Sequence, residues 1–260
     1  MGKAISIFNQ KGGVGKTTTN INLAACLAIK GKKILVLDID PQGNTTSGLG
    51  VAKKTLGNTS YDLLINDRLD PWDAILKTGV ENLDILPASV DLAAAEIELV
   101  QLEGREKRLK KALDKIRDSY DYIFIDCPPS LGLLTINALT AVDSVLIPIQ
   151  CEFYALEGVS QLISTIELVR KSLNPTLQIE GVILSMFDGR TNLSIQVVEE
   201  VKKFFGSQLY STVIPRNVRL AEAPSYGMPI TLYDPKSKGA IAYQAFAAEF
   251  LESEGSKWQK

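Results

Sequence analysis

The stretch Lys3-Ala-Ile-Ser-Ile-Phe-Asn-Gln-Lys11-Gly12-Gly13-Val14-Gly15-Lys16-Thr17-Thr18-Thr-Asn-Ile-Asn-Leu-Ala-Ala-Cys26 decides how this chain folds. An apolar run over residues 3–9 predicts a buried strand, and residues 16–30 carry a helical pattern. Between them, Gly12, Gly13 and Gly15 let backbone N–H groups converge without interference from Cβ atoms. The helix that follows turns its positive end toward the same point, which is how a chain holds phosphate. Lys16 supplies a cation for the β- and γ-phosphates, and the Thr17 hydroxyl is placed to ligate Mg²⁺. Thr18 lies next to it in the first helical turn.

Outward from this loop, short apolar runs alternate with helical patterns to the end of the chain. Strands are expected at 3–9, 33–40, 83–87, 122–126, 144–150, 179–186 and 212–215. Helices are expected at 16–30, 92–118, 131–141, 156–172, 195–205 and 240–252. The strands are Ile/Val/Leu-rich without polar alternation, as strands covered on both faces are. The expectation is therefore an α/β fold: a mostly parallel twisted sheet flanked by helices on both faces, with 1–260 as a single domain. An apolar fraction of 45% against 22% charge supplies ample core for it.

Composition removes several kinds of chemistry. There is no histidine, so histidine-based acid/base catalysis, Ser-His-Asp triads and histidine metal sites are excluded. Cys26, Cys127 and Cys151 lie far apart with no CxxC pair, which argues against zinc and disulfides and suits a reducing cytosol. Twenty-eight basic residues against thirty acidic ones exclude a basic protein overall while leaving room for a local basic patch.

Two strand ends carry carboxylates. Leu37-Asp-Ile-Asp40-Pro-Gln-Gly-Asn44 offers Asp38 and Asp40, of which Asp40 leads into the loop; beside a triphosphate it is placed to orient an attacking water. An Asp-Pro turn is the plainer reading of the same residues. Tyr122-Ile-Phe-Ile-Asp126 ends an apolar strand in a carboxylate suited to Mg²⁺, most simply through a water.

The run Lys11-Gly-Gly-Val-Gly-Lys-Thr-Thr18 has Gln10 where the general phosphate-loop pattern has glycine, and a second lysine opens it. It resembles the deviant Walker A motif of the ParA/Soj, MinD and nitrogenase iron protein family of P-loop NTPases. Ser47-Gly-Leu-Gly50, Met186-Phe-Asp-Gly-Arg190 and Ile214-Pro-Arg-Asn-Val-Arg-Leu-Ala-Glu-Ala-Pro-Ser-Tyr-Gly227 extend the resemblance to chromosomal partition ATPases of the Soj type. The resemblance implies an ATPase with ATP and Mg²⁺ as cofactors, slow without its partner. In it Lys11 reaches the nucleotide of a second subunit, Lys16 its own, and Asp40 positions water. Pro215 and Asn217 frame the base. It further implies a homodimer with ATP at the interface, non-specific binding of double-stranded DNA, and hydrolysis stimulated by a ParB-type protein. The implied location is the cytoplasm, on the nucleoid.

From 186 to 240, seven basic residues stand against five acidic ones. Arg190 and Arg219, with Lys202, Lys203 and Lys236, are the expected DNA contacts by that resemblance. A denser basic run over 105–117 reads as a solvated helix with Leu109, Leu113 and Ile116 on its buried side. The alternative is a MinD-like regulator that cycles on membranes. The tail from Phe246 is acidic where lipid attracts lysines, although Trp258 suits an interface, so no membrane partner is expected.

Overall fold

The computed structural model describes residues 2–152 and 155–257. The chain opens with β1 (Lys3–Ile7), α1 (Lys16–Ile29), β2 (Ile34–Asp38) and two short helices, α2 (Asn44–Gly48) and α3 (Ser60–Ile65). A two-residue strand β3 (Leu76–Lys77) precedes β4 (Leu83–Leu86), α4 (Leu92–Glu98) and α5 (Arg108–Leu113). Then come β5 (Tyr122–Asp126), α6 (Leu133–Ala141), β6 (Ser144–Gln150), α7 (Ala155–Ser172), β7 (Gln178–Phe187) and α8 (Asn192–Phe205). The chain closes with β8 (Leu209–Pro215), α9 (Val218–Glu222), α10 (Ile230–Tyr233) and α11 (Lys238–Lys257). Trp258 lies outside the described residues.

One sheet holds the strands in the order β3-β4-β2-β5-β1-β6-β7-β8. Every neighbouring pair is parallel except β3 with β4. Side chains alternate between the two faces with period two. Ala4, Leu35, Leu37, Ile123 and Ile125 join a core with residues of α4–α8. Ile5, Ile7, Ile34, Val36 and Phe124 join a second core with α1 and α11. The expected α/β sandwich of helices around a parallel sheet is the fold observed.

Register is what builds the site. Ile7 pairs with Asp126, and Asp38 with Asp126, so the carboxyl ends of β1, β2 and β5 finish level. Ligands in parallel α/β sheets collect at this edge.

The structure corrects several expected elements. The helix expected over 92–118 is broken into α4, three single 3₁₀ turns and α5, with the chain turning at Gly104. Asn137 of α6 makes the break tolerable: its Oδ1 accepts from Leu109 N at 3.1 Å, and its Nδ2 donates to Arg105 O at 2.7 Å. Arg108 and Arg117 are buried rather than solvated, their guanidinium groups donating to Leu64 O, Ile65 O and Gly2 O. Strand β8 begins three residues earlier than expected, and β3, α2, α3, α9 and α10 are too short to leave a periodic signature.

Helix α11 packs on β8 and α1 and is fastened at its far end by a buried charge cluster. Lys3 Nζ lies 2.6 Å from Glu180 and 2.8 Å from Glu254, and both carboxylates are almost wholly buried. Burial raises the Glu254 pKa, with Lys3 opposing and Glu180 adding to the rise. Lys3→Met removes the cation that opposes this rise, so the folded-state pKa of Glu254 rises further. An acid whose folded pKa is raised costs stability above that pKa and recovers it as pH falls through it. The expected loss in urea unfolding is roughly 2–4 kcal/mol at pH 7.5 and clearly smaller at pH 5.

Candidate nucleotide site

The loop after β1 turns on glycines in the left-handed region, Gly13 at φ 75° and Gly15 at φ 89°. A side chain at Gly15 would be strained there. Gly15 is the N-cap of α1, makes no side-chain cap, and no acidic residue occupies the first turn. The first N–H groups of α1 are therefore left for an anion. A cavity of about 360 Å³ opens on them, lined by Gly12, Gly13, Gly15, Lys16, Thr17, Thr18 and Asp40, with Pro129 and Met186 across it.

Lys16 is buried and folded back, its Nζ donating to Lys11 O at 3.1 Å. Burial lowers its pKa, with Asp126, Cys127 and Asp40 pulling the other way. The Lys11 side chain takes another course, pairing with Glu152 at 3.3 Å across half-exposed surface. Val14 buries its side chain, and its carbonyl accepts from Ser185 Oγ at 2.7 Å. Neither Lys11 nor Val14 lines the cavity with its side chain.

Behind the loop stand the two buried carboxylates. Asp126 Oδ2 accepts from Thr17 Oγ1 and from Thr45 Oγ1, each at 2.7 Å, while its Oδ1 is buried with no hydrogen-bond partner among the described residues. Asp38 Oδ2 accepts from Thr46 N at 2.8 Å and Thr46 Oγ1 at 2.7 Å. Burial raises both acids' pKa values; at Asp38 the nearby Asp126 adds to the rise, and at Asp126 the Thr17 and Thr45 hydroxyls oppose it. Spaced by two on an extended chain, Asp38 and Asp40 would face the same side by alternation alone. Instead Asp38, the last residue of β2, closes an internal network, and Asp40, two residues past the strand end, borders the cavity, its carboxylate accepting from Gln42 N at 2.9 Å. Cys127 is buried and its thiol is pushed up to about 12 by burial, which leaves it an inert packing group.

A second cavity, about 330 Å³, shares Gly15, Thr18 and Met186 with the first. Pro215, Asn217, Ile214, Leu220 and Tyr243 give it a largely apolar wall that suits a flat ring. Asn217 also caps α9, accepting from Arg219 N at 2.8 Å. Sequence reading missed Met186, which stands between the cavities at φ 53°, a conformation that no pattern in the chain announces.

The basic residues singled out by sequence lie on separate elements: Arg190 after β7, Lys202 and Lys203 on α8, Arg219 on α9 and Lys236 before α11. Arg190 pairs with Asp188 at 2.6 Å, Lys203 with Glu200 at 2.6 Å, and Arg219 with Glu222 at 2.8 Å and Asp234 at 3.4 Å. Lys202 and Lys236 are exposed and have no ion pair among the described residues.

A left-handed glycine loop between a central parallel strand and an uncapped helix, with a lysine and two carboxylates around it, defines a P-loop NTPase. Residues 2–179 match the family model described as an AAA domain. The chain is 64% identical over 249 residues to the sporulation initiation inhibitor protein Soj of Bacillus subtilis, covering 96% of this chain and 98% of that one. It is 54% identical over 258 residues to the chromosome partitioning protein ParA of Myxococcus xanthus, covering 99% and 90%. Its fold matches the crystal structure of cobyrinic acid a,c-diamide synthase from Mycobacterium smegmatis with bound ATP analogue and magnesium. That match has a TM-score of 0.86 at 38% identity and covers 99% of this chain and 97% of that one. The chain belongs to the Soj/ParA family of chromosome-partitioning ATPases.

The two aspartates of the second strand end should separate in unfolding experiments. Asp38→Ala strips acceptors from the buried Thr46 N–H and hydroxyl and should cost about 1–3 kcal/mol, seen as a fall in Tm. Asp40→Ala removes only a half-exposed turn contact and should cost less than about 1 kcal/mol.

Proposed function

We propose that this chain is an ATP-dependent dimerising ATPase of chromosome partitioning, with 1–260 acting as one ATPase domain. Gly12, Gly13, Val14 and Gly15 present backbone N–H groups to the phosphates, Lys16 and Thr18 complete the cradle, and Pro215 and Asn217 frame the base. Thr17 and Asp126 hold Mg²⁺. The orphaned, buried Asp126 Oδ1 supports this fit, because a hard cation and its waters supply the donor that oxygen lacks. The metal, when bound, neutralises charge that develops on the transferring phosphate. Asp40 orients the attacking water.

The observation that carries dimerisation is the contrast between the two lysines. Lys16 is buried within its own cavity, whereas Lys11 projects from the loop and is held only by a half-exposed ion pair with Glu152. Such a pair is worth little in water, so a second subunit's γ-phosphate competes for Lys11 readily. ATP then joins two copies, and ADP, lacking the shared phosphate, releases them.

Two copies double the phosphate contacts of a weak basic face, and counterion release makes affinity climb steeply with their number. Arg190, Arg219, Lys202, Lys203 and Lys236 form that face, and the target is double-stranded DNA without sequence preference. The carboxylates already paired to Arg190, Lys203 and Arg219 keep one copy's grip weak. A ParB-type protein stimulates turnover, and the protein cycles on and off the nucleoid in the cytoplasm. A MinD-like membrane cycle is the alternative. The exposed, acidic Glu252 of α11 weighs against it.

Sedimentation velocity tests the lysine assignment. Wild type should dimerise with Mg-ATP and not with ADP; Lys11→Ala should bind nucleotide and stay monomeric, and Lys16→Ala should lose both. Wild-type dimerisation by Lys11→Ala would overturn the reading. Asp40→Ala should dimerise and hold DNA while phosphate release falls by at least about a hundredfold.

DNA retention measured against salt tests the basic face. Arg219→Ala should dimerise normally, bind DNA several-fold more weakly and reduce the salt slope by about one per subunit. An unchanged slope removes Arg219 from the face, and ATP-dependent sedimentation with anionic liposomes favours the membrane alternative.

A further inference from the structure

Asp126 is bonded to two threonines, and only one of them belongs to the phosphate loop. The other, Thr45, sits fully buried in α2, where Asn20 Nδ2 of α1 also reaches its hydroxyl at 3.3 Å. Helix α2 has almost no freedom against its surroundings. A Cβ on Gly48 would lie 2.4 Å from Ile21 Cδ1 and 3.7 Å from Pro224. Two residues later, past the end of α2, two backbones touch: a Cβ on Gly50 would lie 2.9 Å from Gly227 O, and one on Gly227 would lie 2.6 Å from Gly50 Cα. No side chain cushions this contact, so displacement of one strand of chain is passed to the other.

Gly227 belongs to a segment held to the nucleotide elements at three points. Asn217 opens it at the second cavity, Gly227 rests on Gly50, and Ile230 N donates to Asn22 Oδ1 at 2.7 Å. Asn22 in turn donates to Thr18 O at 2.8 Å, within the first turn of α1. Between the first two points lies α9 with Arg219, restrained by Glu222 and Asp234.

We propose that Thr45 is a positioning residue that carries the ordering of Asp126 through α2 and the Gly50–Gly227 backbone contact to residues 217–230. The route lies within one subunit and so acts before a second copy arrives. It rests on the reading of Thr17 and Asp126 as the residues that hold Mg²⁺. When Asp126 Oδ1 gains a partner, the carboxylate is fixed, the Thr45 hydroxyl bond is fixed with it, and α2 loses its remaining motion. The segment bearing Arg219 then opens less often, which lowers the ordering cost of a later contact made by that segment. Valine at 45 keeps the shape and removes the hydroxyl; serine keeps the hydroxyl.

Hydrogen exchange read by mass spectrometry on the full chain tests this in the Lys11→Ala background, where dimerisation does not contribute. Mg-ATP should slow exchange at 44–50 and at 218–230 by about tenfold, as one charge-assisted hydrogen bond allows, and ATP with EDTA should not. Adding Thr45→Val should leave protection of residues 11–18 intact and abolish that at 218–230, and Thr45→Ser should restore it. Gly227→Ala, a second probe should Thr45→Val fold poorly, should keep protection at 44–50 and lose it at 218–230. Wild-type protection at 218–230 in Thr45→Val, a response without Mg²⁺, or no response in the monomeric background would each overturn the proposal. Failure of Mg-ATP to protect residues 11–18 would overturn the nucleotide reading itself, so the two failures appear in different peptides.

Discussion

Everything in this protein is arranged around a helix that begins without a cap. The first N–H groups of α1 have no side-chain acceptor and no carboxylate near them in sequence, and Gly15 holds the backbone in a conformation that directs them outward. Leaving donors unpaired at the head of a fourteen-residue helix is unfavourable in isolation. It is tolerated because those groups open on a cavity where water or an anion completes them. The surrounding sheet supplies the rest: β1 is central, so the loop is set between β5 and β6 and receives side chains from both sides.

The same edge concentrates negative charge. Asp38 and Asp126 end neighbouring strands in register, and both are buried. Two such groups next to a triphosphate would repel it. The structure divides their surroundings. Asp38 is held by hydrogen bonds from Thr46 and seals the base of α2, while Asp126 has one oxygen bonded to Thr17 and Thr45 and the other without a hydrogen-bond partner among the described residues. Lys16 lies close enough to feel Asp126 and Asp40 despite its own burial. The Asp40 carboxylate remains half-exposed at the cavity wall, accepting from Gln42 N at 2.9 Å, while its backbone N–H donates to Asp38 Oδ1 at 3.2 Å.

Much of this was readable from residue order. The phosphate loop, the parallel sheet and the ends of β2 and β5 each rest on local pattern: an apolar run, a glycine group, a charged residue at the end. Asn217 and Pro215 were named from the resemblance and do line the second cavity. The long basic helix was misread because periodicity registers Leu109, Leu113 and Ile116 and is blind to a break satisfied from elsewhere. Asn137, on another element, supplies hydrogen bonds to Arg105 O and Leu109 N, where the chain resumes helical turns after the break at 102–104. The guanidinium groups of Arg108 and Arg117 likewise look like solvated charge until the carbonyls they meet are known.

The sequence by itself determined the class of fold and the chemistry of the loop, because both depend on contacts between residues close along the chain. A strand, a glycine turn and a helix start carry their signals within about twenty residues. Only the tertiary structure decided which aspartate faces the cavity, where Lys11 points, and that Gly50 rests on Gly227. Those outcomes depend on strand register and on backbones distant in sequence approaching within van der Waals contact. A linear pattern carries no term for either.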